Sequence, residues 1–177
     1  RFSRRRFLAF PLATALALPA APHKARAQAG PSGTVFTADE TGASVSAIKL
    51  ATGQVRTVPV PIQPHNVQVT PDGARVLLVG PGKGGGGHGA GRLLALDPGD
   101  IARPPLLDVP VGPHPAHVVT DSAGRRAFVT DSHENALLVI DLTTGQRVGR
   151  VPVGTFPHGL RLSPDGSELF IANMQGG

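Results

Sequence analysis

Beyond residue 30, histidine stands beside proline at three points of this chain: Gln63-Pro64-His65-Asn66, His114-Pro115-Ala116-His117 and Phe156-Pro157-His158-Gly159. A neutral imidazole offers a nitrogen lone pair to a metal, and a protonated one offers charge to an anion. Brought to one place, these side chains could hold a metal, a haem or an anionic ligand. The candidates are therefore His65, Asn66, His114, His117 and His158 as ligand-binding residues, with the four histidines as metal ligands. No particular cofactor is specified, though a divalent metal is one these residues could take. The chain has no cysteine, which excludes disulfides, thiolate metal sites and covalent attachment of c-type haem within it.

The three windows share a frame. Val151-Pro152-Val153-Gly154 with Pro157 matches Val109-Pro110-Val111-Gly112 with Pro115, and Val58-Pro59-Val60-Pro61 with Pro64, all without a gap. Downstream, Ser163-Pro164-Asp165-Gly166 matches Thr70-Pro71-Asp72-Gly73 closely and Asp121-Ser122-Ala123-Gly124 loosely. Thr143-Thr144-Gly145-Gln146 returns as Ala51-Thr52-Gly53-Gln54. These are turn marks, because Pro fixes φ, Asp caps its own backbone and Gly accepts positive φ. In this frame His65 and His158 share one column, and His114 and His117 flank it in the middle unit.

Between the turns lie short runs rich in Val, Leu and Ile, too short for helices and bounded as strands are. Thirteen strands are expected, at 34–39, 44–50, 54–60, 66–70, 75–80, 92–97, 106–111, 116–120, 127–130, 136–142, 147–153, 158–162 and 168–173. The spacings Pro115 to Pro157, 42 residues, and Pro64 to Pro115, 51 residues, with four strands per unit, predict an all-β fold of β-propeller blades. The units are expected at about 34–73, 74–124 and 125–166, with a partial one at 167–177. Three blades leave apolar faces bare, so the expectation is a fragment of a larger propeller, its chain beginning with Arg and stopping inside a blade.

Phe128-Val129-Thr130-Asp131, Phe170-Ile171-Ala172-Asn173, the Val-Ile-Asp-x-x-Thr-Gly stretch from Val139 to Gly145 and the Pro-His-Gly-x-x-x-Ser-Pro-Asp-Gly stretch from Pro157 to Gly166 resemble the YVTN-type propeller repeat of extracytoplasmic bacterial proteins. The resemblance runs from about Gly33 to Asn173. It implies a propeller of about seven blades around a channel, in a superfamily that hosts lactonases, haem-binding nitrite reductase propellers, metal chaperones and proteins without known chemistry. It also implies that the strand after each Val-Pro-Val strand lines the channel, which would put the histidine windows at the channel mouth. The competing reading makes Pro-His-Gly part of the blade itself, since repeated residues in repeat proteins are more often structural than catalytic.

The N-terminus reads as a targeting segment. Ser3-Arg4-Arg5-Arg6-Phe7-Leu8 precedes an apolar run from Ala9 to Ala21, and small residues at Ala25, Ala27 and Ala29 offer a cleavage region. This pattern predicts a twin-arginine export signal over 1–29, use of the twin-arginine export machinery, and a periplasmic or extracellular mature domain over 30–177. The apolar run is shorter than the roughly 20 residues a membrane-spanning helix needs, and Pro11 and Pro19 interrupt it, so no membrane anchor is expected after the signal is removed.

The signal also accounts for the basic balance. The chain carries 17 Lys and Arg against 12 Asp and Glu, a formal +5. Six of the bases and none of the acids lie in residues 1–29, leaving 11 against 12, or −1. Nothing then marks a nucleic-acid partner. Seven Phe without Trp or Tyr provide few stacking platforms for sugars or single strands.

Two other stretches bear on chemistry. Gly80 to Gly91, GPGKGGGGHGAG, contains G-x-G-x-x-G but neither opens a helix nor sits in a βαβ unit, so it reads as a surface insertion; a functional version would swing Lys83 and His88 over a ligand. Asp131-Ser132-His133-Glu134 gathers three potential ligands, yet its partner in the repeat, Asp39-Glu40-Thr41-Gly42, marks a tight turn. Neither Ser122 nor Ser163 sits in a nucleophile elbow. The expected function is an exported binding or interaction scaffold for a protein or small molecule. The alternatives are a lactonase-like metal-dependent hydrolase, whose family places carboxylates and asparagines on a divalent cation, and a metal-carrier or haem-associated redox propeller.

Overall fold

A computed structural model describes residues 32–83 and 90–176; the expected export signal over 1–29 and His88 lie outside the described residues. The described chain is all-β, with thirteen strands in four antiparallel sheets. None of the described residues forms a helix long and apolar enough to cross a membrane. The first sheet is β1 (Thr34–Asp39), β2 (Ser44–Lys49) and β3 (Val55–Pro59); the second is β4 (Asn66–Val69), β5 (Val76–Gly80), β6 (Arg92–Leu96) and β7 (Leu107–Pro110). The third is β8 (Pro115–Thr120), β9 (Arg126–Asp131), β10 (Ala136–Asp141) and β11 (Arg147–Pro152), and the last pairs β12 (Pro157–Leu162) with β13 (Leu169–Asn173). Within each sheet consecutive strands pair, the meander of a β-propeller blade.

Every expected strand forms, most within a residue or so of its expected ends, because the punctuating turns cap themselves. Asp141 Oδ1 accepts from Thr143 N–H at 2.8 Å and Thr144 N–H at 2.9 Å. Gly73, Gly124 and Gly166 share one column and take φ of 69°, 65° and 72°, the left-handed region open to glycine.

Hydrogen bonding groups the strands one step earlier than the sequence units. The Ser/Thr-Pro-Asp-Gly turns join the first and second strands of a sheet instead of dividing units, so the sheets span 66–110 and 115–152 rather than 74–124 and 125–166. Recurrence in sequence fixes the period; pairing fixes its phase.

Stacking of the sheets supplies the core. Val76, Leu77, Leu78 and Val79 of β5 are all fully buried, because both faces of the second sheet are covered. Leu77 and Val79 join Val118, Ala127, Val129, Leu138 and Ile140 of the third sheet. The alternate residues Val76 and Leu78 meet Val45 and Val60 on the side of the first sheet. Each such side chain contributes about 1.5–3 kcal/mol by leaving water, which outweighs the per-residue differences in strand propensity, spanning roughly 1 kcal/mol. The first strands of successive sheets run beside one another, β4 next to β8 and β8 next to β12, and this places the starts of three blades together.

Candidate functional site

His65 immediately precedes β4, His117 lies in β8 and His158 in β12, three strands of three different sheets. Their rings meet. Centroids are 5.0 Å apart for His65 and His158, 4.7 Å for His117 and His158, and 5.7 Å for His65 and His117. One nitrogen from each lies within 4.8 Å of the others.

Repeat columns alone do not explain the meeting, since His117 falls one position after the column shared by His65 and His158. The register supplies the reason. In β8 the pairs Pro115↔Asp131 and Val118↔Val129 enclose one extra residue, and in β12 the pairs Pro157↔Asn173 and Leu160↔Ile171 do the same. Each is a bulge, where strict alternation of side chains lapses and a side chain is re-aimed. Ala116 with His117 and His158 with Gly159 are the residues inside the two bulges, so neighbouring positions can serve one cluster.

Thr130, fully buried in β9, ties the two bulges together. Its Oγ1 accepts from the His117 backbone N–H at 3.1 Å and donates to the His158 carbonyl at 2.7 Å. Next to it, Ser132 Oγ donates to the Pro157 carbonyl at 2.9 Å. The approach to β12 is held in an unusual conformation: Phe156 has φ of 56°, rare for a bulky side chain, and its N–H donates to Asn135 Oδ1 at 2.8 Å.

Polar contacts order the imidazoles. Glu40, in the turn between β1 and β2, lies 2.9 Å from His65 Nδ1. The carboxylate can only accept when ionised, so Nδ1 of His65 bears the proton and, in the neutral ring, Nε2 presents a lone pair. Nε2 of His158 lies 2.9 Å from that atom and donates to it. Burial first, then the neighbouring His158 and His65, hold the His117 imidazole below its ordinary pKa. Burial and His65, with His114, lower that of His158, and Glu40 opposes them. Both shifts favour the neutral ring.

The other candidates sit elsewhere. His114 is outside the cluster: its ring packs against Phe156 with centroids 6.4 Å apart, its backbone N–H donates to Asp131 Oδ2 at 3.0 Å, and its buried Nδ1 has no protein partner. Asn66 Oδ1 accepts from Val118 N–H at 3.1 Å, so its carbonyl links the second sheet to the third. Asp131 is buried and caps its own turn, accepting from the N–H groups of His133 and Glu134 at 3.0 and 2.8 Å; Glu134 pairs with Arg150. In the glycine-rich stretch, Lys83 N–H donates to the Pro61 carbonyl, and residues 84–89 lie outside the described residues.

Sequence reasoning named the histidines but not Glu40 or Thr130 as members of the site. Glu40 was visible only as part of a turn. A threonine following the apolar run Ala127-Phe128-Val129 is the signal that could have marked Thr130, because a hydroxyl buried there must find partners.

No protein-family model and no curated protein matches the sequence. Among solved structures, the chain is similar to the hydrazine synthase of Kuenenia stuttgartiensis, with a TM-score of 0.67 and 25% identity over 81% of this chain and 40% of that one. It is also similar to a protein of Bacteroides uniformis that bears the description 6-phosphogluconolactonase, with a TM-score of 0.64 and 15% identity over 79% of this chain and 44% of that one. The chain thus spans less than half the length of either, and its sheets are part of a β-propeller.

Proposed function

We propose that this chain is part of an exported propeller of the YVTN type that works as a binding scaffold and takes its ligand where the imidazoles of three adjacent blades meet. The observation that carries the reading is the convergence of His65, His117 and His158 from three sheets. A purely architectural histidine would need only a partner in its own or the next blade. Part-exposed rings facing one another, with burial favouring the neutral form of His117 and His158, form a polar surface suited to a small ligand. Export through the twin-arginine route, to the periplasm or beyond, belongs to this proposal.

A lactonase-like hydrolase has one point in its favour, the description carried by the Bacteroides uniformis neighbour. The chemistry of the mouth counts against it. Among the described residues, Glu40 is engaged with His65 and the Asn66 carbonyl with Val118 N–H, so neither is free for a cation here.

The test is a titration of the complete exported protein, followed by imidazole NMR signals, with divalent metals and with small anions such as phosphate. At least one class is expected to shift the signals of His65, His117 and His158 together. A protein whose three signals move with none of them, or whose His65 and His158 signals still move as in the parent when His117→Ala has removed the third ring, would overturn the reading.

A further inference from the structure

We propose that His65, His117 and His158 bind one divalent transition-metal ion, with Glu40 fixing His65 in its ligating tautomer and with coordination left open toward the channel. The inference deepens the reading of the histidine mouth as the binding site and rests on it.

Distance carries the first step. Imidazole nitrogens sit about 2.0–2.1 Å from zinc, so two ligands of one ion are separated by about 2.9 Å at a right angle and about 3.3–3.4 Å at the tetrahedral angle. His65 Nε2 and His158 Nε2 are 2.9 Å apart, already at the closer of these spacings. The third nitrogen lies within 4.8 Å of the others, and binding requires the His117 ring to close that spacing.

The donor set then selects the ion. Three imidazoles suit zinc, copper or nickel, whereas calcium and magnesium require oxygen ligands. Thiolate-bound ions are excluded by the absence of cysteine. Three protein ligands leave a tetrahedral ion one position short, the pattern of sites that exchange a water or an incoming ligand.

Glu40 supplies the outer contact such sites use. A ligating histidine normally donates its other ring N–H to a carboxylate or carbonyl, which sets the tautomer and raises the ring's basicity. With Nδ1 of His65 donating to Glu40, its Nε2 lone pair is already free for the ion. His158 must change tautomer: its Nε2–H is lost, Nδ1 takes up a proton, and the ring ligates through Nε2 while remaining neutral. No net proton is released by that ring.

The test measures Zn2+ affinity of the complete mature protein, isolated without a histidine tag, by competition with a chromophoric chelator, and repeats it with Co2+ to read the visible ligand-field bands. One ion per chain is expected. His117→Ala is expected to lower affinity at least 100-fold, and Glu40→Gln 10–100-fold, as outer contacts do; Glu134→Gln, whose carboxylate pairs with Arg150, is expected to leave it unchanged. Thermal melts check folding, and if His117→Ala does not fold, His117→Gln, closer in volume and still polar, takes its place. Absence of a stoichiometric ion, or wild-type affinity in the folded His117 variant, overturns the metal site. If phosphate alone shifts the three imidazole signals, the metal is wrong and the mouth stands; if neither probe does, both fail.

Discussion

His65 and His158 are 93 residues apart in the chain, and their Nε2 atoms lie 2.9 Å from each other. One atom must donate and the other accept, and Glu40 decides which by accepting a hydrogen bond from the protonated Nδ1 on the far side of His65. The ordering reaches across three blades from a turn in the first.

Removing the tie between the bulges is expected to be costly. Thr130→Val keeps the shape but strips the hydroxyl that serves His117 N–H and His158 C=O. Leaving such groups without a partner costs about 1–3 kcal/mol. Urea denaturation is expected to show that loss, and a variant as stable as the parent would mean that water replaces the hydroxyl at no cost.

Gly166 has φ of 72° and open space around its Cβ position. Strain in Gly166→Val would therefore come from the backbone alone, about 1–2 kcal/mol for a residue with a side chain. Gly80 differs, because an added Cβ would stand 1.9 Å from the Gln63 carbonyl oxygen. Gly80→Ala is expected to lower the melting temperature more than Gly166→Val, and the reverse order would refute this account of the two sites.

Acid sensitivity is expected from the turns. Hydrogen bonds from Ser163, then Ser167, push the Asp165 carboxyl down to about 2 from an ordinary 3.8, and Thr70 and Ala74 lower that of Asp72. A folded-state pKa below the unfolded one means that the unfolded chain binds the proton first. Stability from Asp165 is thus present above pH of about 4 and lost as pH falls from there toward 2. Denaturation midpoints at pH 5 and pH 3 are expected to differ less in Asp165→Asn than in the parent; an equal difference would remove Asp165 from the cause.

The imidazoles carry the same sign at higher pH. His117 and His158 titrate below the ordinary histidine value of 6.5, burial being the first cause for each. In the metal-free protein, stability should hold above about pH 6.5 and decline as pH falls through their folded-state values. NMR titration of the two ring signals checks this directly, and a midpoint at or above 6.5 for either ring would contradict it.

Export is tested separately. Replacing Arg4 and Arg5 by lysine is expected to leave the protein in the cytoplasm, where cell fractionation would detect it, and undiminished export would show that another signal directs it.

Fold and site were legible to different depths. Pro, Asp and Gly at fixed offsets announce each turn, so the strands between them could be bounded closely. Which four strands share a sheet depends on hydrogen bonds between segments, and there the Ser163-Pro164-Asp165-Gly166 turn misled, because a turn within a sheet looks the same as one between sheets. The histidine windows were visible as a column. That His117 joins His65 and His158 while His114 turns toward Phe156 follows from a one-residue bulge, and a bulge leaves no mark in the residue pattern of β8.

A chain without cysteine has no disulfide to hold its blades in register. The three rings come from three separate sheets, so an ion among them would act as a removable staple: it binds only when the blades are docked, and by mass action it adds to their docking about 2.7 kcal/mol at a hundred times its dissociation constant. The metal content of the surroundings would then set how firmly the ring of blades is closed.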